Sequence, residues 1–280
     1  MPKKLIVTHI FPNLDAIGAI WLLVRFHPDF SETEFVFVPA GSTYKNKGVD
    51  SDPTVVHVDT GMGRFDHHQL STKTAATELV FNYLKNQKFI TLKHESALER
   101  LIKLMVEIDN FDDCFWPEAD ADRYDLGLSE IINNLKISGR LNDKELVYQG
   151  MILLDAVLTG FLIKIKVEEE VRLGQEFNCR WGRALAVESK HSLLSKLAQK
   201  MGFVLVIRKE PKTGFVSIKS QPKPEIDLEP IYRQLLKLDP KASWFFHQSR
   251  HIIVNGSRHN PAVKASGLAL KEIVDIVKKI

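Results

Sequence analysis

Cysteine is almost absent: Cys114 and Cys179 are the only two in 280 residues. Two are too few for a disulfide framework, and a reducing compartment is the expectation. Net charge is also nearly absent, at +3, while 44% of the residues are hydrophobic, a combination that excludes a disordered chain. No long uninterrupted apolar run exists. The greasiest stretch, residues 151–167, is broken by Asp155, Lys164 and Lys166, too short and interrupted to span a bilayer. The opening MPKKLIVTHIF turns polar at Thr8, too early for a signal-peptide core. No internal repeat, low-complexity tract or P-loop is present; Gly41-Ser42-Thr43-Tyr44-Lys45 lacks the second glycine and the Gly-Lys-Ser/Thr ending. A soluble, cytoplasmic protein without a membrane partner is expected.

The near-neutral total conceals an asymmetry. Residues 1–180 hold 20 basic and 27 acidic side chains, whereas residues 181–280 hold 18 and 8. The change of sign points to two domains, the second attractive to anions.

Short apolar runs at Leu5-Ile6-Val7, 34–39 and 55–58 read as strands. They alternate with helical patterns over 15–26, 74–84 and 96–108, the last with Leu98, Leu101, Ile102 and Met105 at i, i+3, i+4, i+7 spacing. Such alternation predicts an α/β fold with a parallel sheet. Residues 109–125 form an acidic loop, and helical signals run from Leu128 to about Phe177. The remainder reads as a strand (184–187), a helix (193–201), a hairpin (203–208 and 215–219), a helix (228–238), a strand (251–254) and a last helix (268–279). The expected organisation is therefore a domain over 1–178 that includes a helical linker from about 128 to 178, then a smaller mixed α/β domain over 182–280. Trp244-Phe245-Phe246-His247 is expected to pack in the core of the second domain.

Three segments place metal-binding side chains just beyond an apolar element: His9-x3-Asn13-x-Asp15 after the first strand, Val58-Asp59-Thr60-Gly61 after the third with Asp66-His67-His68 following, and Ile108-Asp109-Asn110 closing a helix. Parallel sheets gather ligands outside the carboxyl ends of their strands. Imidazole mixed with carboxylate suits Mn²⁺, Fe²⁺, Co²⁺ or Zn²⁺ better than an all-oxygen Mg²⁺ site. A carboxylate bridging two such ions supports in-line attack on a phosphate.

This series resembles the successive motifs of the DHH phosphoesterase superfamily, which includes RecJ-type exonucleases, nanoRNases, cyclic-dinucleotide phosphodiesterases and family II inorganic pyrophosphatases. Phe65-Asp66-His67-His68-Gln69 with the later Ile108-Asp109-Asn110 is also similar to the MYG branch of metal-dependent nucleases. The motifs cover about the first 110 residues; beyond them only the layout is alike. The resemblance implies two divalent ions, Mn²⁺ foremost. One would be held by His9, Asn13 and Asp59, the other by Asp15, Asp59, His67 and Asp109, with Asp59 bridging and catalytic. His68 would act at the scissile phosphate, and Asp66 would orient a histidine through its other ring nitrogen. The superfamily usually has Asp where this chain has Asn13, which leaves the first site one negative charge poorer.

In the second domain, Asn255-Gly256-Ser257-Arg258-His259 follows a strand and precedes Pro261. By resemblance it would grip substrate, with glycine admitting close backbone approach and Arg258 supplying a fork of donors. The function implied is hydrolysis of phosphodiester bonds in short oligonucleotides or nucleotides, with a homodimer as a candidate assembly. The alternatives are a pyrophosphatase-like phosphoanhydride hydrolase, and a non-catalytic nucleotide- or RNA-binding protein with a metal site degraded at Asn13.

Overall fold

The computed structural model describes residues 4–257 and 260–280. It is mixed α/β and divides into two compact units, Met1–Leu162 and Ile163–Ile280.

The first unit is built on β1 (Leu5–His9), β2 (Glu34–Val38) and β3 (Val55–His57), joined in the order β2-β1-β3 with every pairing parallel. Ile6 and Val7 are buried in β1, as are Val55 and Val56 in β3. That is the burial of a sheet covered on both faces, and it explains why the strands read as continuous apolar runs without alternation. The helices are α1 (Leu14–Phe26), α2 (Ala76–Asn86), α3 (Leu92–Asp109), α4 (Leu128–Ile137) and α5 (Asp143–Leu173). All ten residues of α1 from Leu14 to Leu23 are buried, as expected of a helix that is apolar around most of its circumference. Gly18 lets α1 approach its neighbours: a Cβ there would fall 2.2 Å from Met105 Cε and 2.6 Å from Thr77 Oγ1.

The second unit carries β4 (Gln175–Cys179), β5 (Gly182–Glu188), α6 (Leu194–Lys200), β6 (Leu205–Lys209), β7 (Val216–Ser220), α7 (Glu229–Leu238), β8 (Phe245–Phe246), β9 (Ile252–Asn255) and α8 (Leu270–Lys278). Its six-stranded sheet has the order β4-β5-β6-β7-β9-β8, antiparallel except for β5 with β6. One face packs on α7 and α8 through Ile207, Ile218, Ile231, Leu235, Ile273 and Val277. The hairpin read from the sequence is β6–β7. Of the four residues from Trp244, only Trp244 is buried; Phe246 stacks on Tyr232 with centroids 5.1 Å apart, and Phe245 is exposed.

The structure departs from the sequence expectation in two places. The helical pattern stops at Leu173, and residues 175–179 form β4, an edge strand in which Phe177 alone is buried. The division between units falls inside α5, ahead of the 178–182 boundary inferred from composition. Its physical basis is that Val167 and Val171 pack with Leu185, Val187, Leu194 and Val206 in the second unit. Among the described residues, α5 is the one helix long and apolar enough to cross a membrane. This differs from the expectation that the stretch is too short and interrupted. One face of the helix is packed, with Leu146, Val147, Leu154 and Leu158 buried and Asp155 accepting hydrogen bonds from Trp21 Nε1 and Arg25, while 28% of its apolar window is buried.

Candidate metal centre

Strand register brings the first two motifs together. Val7 pairs with His57, so two residues further along each parallel strand His9 meets Asp59. Val58 extends the ladder by donating to Val7 O at 2.9 Å. His9 Nε2 then lies 3.2 Å from Asp59 Oδ2, while His9 Nδ1–H donates to Ile10 O at 2.8 Å, fixing the ring so that Nε2 faces the carboxylate. The other oxygen, Asp59 Oδ1, lies 3.4 Å from His67 Nε2 and 3.7 Å from His68 Nδ1. Asp59 therefore offers its two oxygens to different histidines, the arrangement a bridging carboxylate requires.

His67 Nε2 is also 3.8 Å from Asp15 Oδ2 and 3.3 Å from Asp109 Oδ2. Among the described residues, Asp15, His67 and Asp109 form one group able to hold an ion, and Asp59, His67 and His68 another. Asp59 Oδ1 and Asp109 Oδ2 are buried without a hydrogen-bond partner. Buried carboxylate oxygens are rarely left so, and here they converge on one imidazole nitrogen. A divalent cation fits this donor set, because it would satisfy both oxygens and take the place of the shared imidazole proton.

The electrostatics agree. Burial pushes Asp15 up to about 7, assisted by repulsion from Asp59 and Asp109. Burial also raises Asp109, with His67 opposing and Asp59 adding to the rise. For Asp59, burial works in the same direction but the imidazoles of His67 and His9 outweigh it and hold the carboxyl at about 2. His67 rises to about 9, chiefly through Asp59. Burial would lower His9, but its contacts with Asp59 and Ile10 carry it above its ordinary value. Without a cation, the cluster compensates three crowded acids by protonation.

Asp15 has a second function absent from the sequence reading. Its oxygens accept from the backbone N–H groups of Ala76 (2.7 Å) and Thr77 (2.8 Å), so it caps α2, whose own N-cap residue is an alanine. Thr77 Oγ1 completes the link by donating to Asp15 O at 2.8 Å. Asp66 orients His68 and leaves His67 to the acids: its Oδ1 accepts from His68 Nδ1 at 2.7 Å and from His68 N at 3.1 Å, and its Oδ2 from Met62 N at 2.6 Å. The His68 ring is 59% exposed. Asn13, expected as a ligand, is the N-cap of α1, with its Oδ1 accepting from Ala16 N at 2.9 Å.

No protein-family model and no curated protein matches the chain. Solved structures do. An uncharacterized protein from Helicobacter pylori is similar at 15% identity over 99% of this chain and 98% of that one, with a TM-score of 0.27. RecJ is another neighbour. The Mg²⁺ complex of RecJ from Thermus thermophilus is 10% identical over 99% of this chain and 49% of that one, with a TM-score of 0.36, so the chain spans about half the RecJ length. Likenesses at this level decide nothing about chemistry, which is read from the side chains.

In the second unit Asn255, expected to contact substrate, is engaged within the fold. Its side chain is fully buried and committed: Nδ2 donates to Ser243 O and Lys264 O, and Oδ1 accepts from Ser266 N at 2.6 Å. Through these bonds Asn255 ties the following loop together. Gly256 adopts φ +79°, and a Cβ there would strike the Phe215 ring at 2.4 Å, so local packing accounts for this glycine. Ser257 bridges to Asn260. Arg258 and His259 lie outside the described residues.

Proposed function

We propose that the chain is a divalent-metal-dependent phosphoesterase of the DHH type, acting on phosphodiester bonds of short oligonucleotides or nucleotides. What carries the reading is the convergence of five side chains from the three segments, His9, Asp15, Asp59, His67 and Asp109, with two buried carboxylate oxygens unpaired between them. A metal pair held by these residues would supply hydroxide at neutral pH and offset phosphate charge. Asp59 links the two halves of the site through its two oxygens. His9 and His67 present Nε2, each with its carboxylate partner within 3.2–3.4 Å. His68 is held by Asp66 at Nδ1 and is exposed, placing it to donate a proton or hydrogen bond to a phosphate oxygen or leaving group. Mn²⁺ is the cation we favour from the imidazole–carboxylate mixture. Arg258 and His259 remain candidates for holding the rest of the substrate.

The test is hydrolysis of di- to pentanucleotides and cyclic dinucleotides with Mn²⁺, beside pyrophosphate. Turnover of a nucleotide substrate that falls by at least a hundredfold in Asp59→Asn is expected, since removal of one major electrostatic group costs about that much. Faster phosphate release from pyrophosphate would instead favour the phosphoanhydride reading. Mn²⁺ bound with no turnover of any substrate would leave a non-catalytic binding protein.

A further inference from the structure

Strand register sorts the side chains of the second unit's sheet onto its two faces, because successive residues of a strand alternate. Val216, Ile218 and Ile253 lie in the core under α7 and α8, so Ser217, Lys219, Ile252 and Val254 point to the opposite face. On that face Leu185, Val187 and Val206 are covered, in a core they share with Val167, Val171 and Leu194. The side chains that β7, β9 and β8 present there pack into neither core.

The pairings fix what lies beside what. Arg208 is opposite Ser217, Ser217 opposite Val254, and Val254 opposite Phe245, one row across four strands. In the next row Val206 is opposite Lys219 and Lys219 opposite Ile252. Adjacent strands are about 4.8 Å apart and alternate residues of a strand about 6.8 Å, so the two rows form one continuous surface. Aromatic rings bound it on two sides. Phe215 lies against Gly256, and at the sheet edge Phe245 is 56% exposed with its ring 6.3 Å from that of exposed His247.

The polar groups of this surface are cationic. Arg208 Nη1 donates to Ser189 O at 2.9 Å, which anchors the guanidinium. Glu210, whose charge Arg208 meets, accepts from Thr213 N and Oγ1. Lys219 forms no ion pair among the described residues, and burial together with the neighbouring Arg208 holds its ammonium below its ordinary value. Ser217 is the floor between the two cations, and its buried Oγ has no hydrogen-bond partner. An anion over this row relieves the repulsion between Arg208 and Lys219.

We propose that this face of the second unit binds single-stranded nucleic acid, with phosphates on Arg208 and Lys219 and bases stacked on Phe215, Phe245 and His247. Cations alone would take any polyanion. Cations bordered by rings suit a chain in which phosphates alternate with flat bases, and they do so without selecting sequence. The excess of basic over acidic residues in 181–280 has the sign this requires. The proposal rests on the phosphoesterase reading in taking this strand as the substrate, and adds a binding surface that needs no metal.

The experiment measures fluorescence anisotropy of two labelled pentanucleotides with the full chain in chelator, one of thymidylates and one with tetrahydrofuran in place of every base. The thymidylate strand is expected to bind about tenfold more tightly, in keeping with one stacked base or more. Phe245→Ala/His247→Ala, both at exposed edge positions, should erase that preference, and Phe245→Tyr should keep it. Lys219→Gln should weaken both strands and lower the slope of log affinity against log salt by about 0.7, the share of one phosphate contact, while Lys219→Arg restores it. Binding of neither strand, a preference that survives the double alanine variant, or an unchanged salt slope in Lys219→Gln would each overturn the proposal. Asp59→Asn should bind both strands as the parent does. Turnover with Mn²⁺ is scored separately: strand binding without turnover sinks the hydrolase reading and leaves this surface standing, and turnover without the predicted variant effects does the reverse.

Discussion

At the scale of single residues, the site reveals itself through charges that oppose one another in the absence of metal. The pKa of Asp15, about 7 against an ordinary 3.8, is raised by folding. Stability that depends on its neutral form is therefore complete below about pH 4 and disappears as pH rises through 7. His67, about 9 against 6.5, contributes stability that is intact below 6.5 and is lost as pH rises through 9. Asp59 runs the other way: held at about 2, it contributes above 3.8 and fails only as pH falls through 2. The chelated protein should thus be most stable in mildly acidic solution and melt at progressively lower temperature toward pH 9. Thermal denaturation in chelator between pH 4.5 and 8.5 measures this. Asp15→Asn is expected to lower the melting temperature throughout, because an amide cannot accept from both Ala76 and Thr77, yet to flatten the decline below pH 7. Equal slopes in the two proteins would mean that Asp15 is not the titrating group.

At the scale of elements, strands and helices of the first unit were legible because burial on both faces of β1 and β3 and on most of α1 leaves unbroken apolar runs. The metal-binding segments were legible because two of them directly follow such a run and the third closes the amphipathic helix α3. What escaped the reading depends on partners far along the chain. The capping of α2 by Asp15 leaves no local trace, since the two are 61 residues apart and Ala75 carries no capping group. β4 continues a helical pattern and buries only Phe177, and β8 has two residues, too few to show a period. Asn13 shows a confusion of another kind, because Asn ahead of a helix serves equally as cap and as ligand. The two roles separate by substitution. Asn13→Asp keeps an acceptor for Ala16 N, so α1 should lose little stability, while the added charge beside Asp15 tightens Mn²⁺ binding. Asn13→Ala removes the cap, at a cost of about 1 kcal/mol. Calorimetric Mn²⁺ titration together with chemical denaturation reads both effects, and unchanged Mn²⁺ affinity in Asn13→Asp would confine position 13 to capping.

At the scale of the whole molecule, the two units have separate cores and opposite charge balance, and among the described residues the candidate ligands lie in the first. A cation that binds only the folded form stabilises it by RT ln(1 + [L]/Kd), about 2.7 kcal/mol at a hundred times Kd. That stabilisation belongs to the unit holding the ligands. Hydrogen exchange with and without saturating Mn²⁺ should therefore show added protection in β1, β3, α2 and the carboxyl end of α3, and little change in β5–β7 and α7, which pack around Ile207, Ile218 and Leu235. The helix α5 distinguishes local from shared stabilisation, since its residues up to Leu162 belong to one unit and those from Ile163 to the other. If the units respond independently, protection along α5 rises before residue 162 and fades over the turns that carry Val167 and Val171. Asp59→Asn should abolish the effect everywhere. A uniform rise in both sheets would show that the helix transmits stability between them, and that the chain unfolds as one cooperative body despite its two cores.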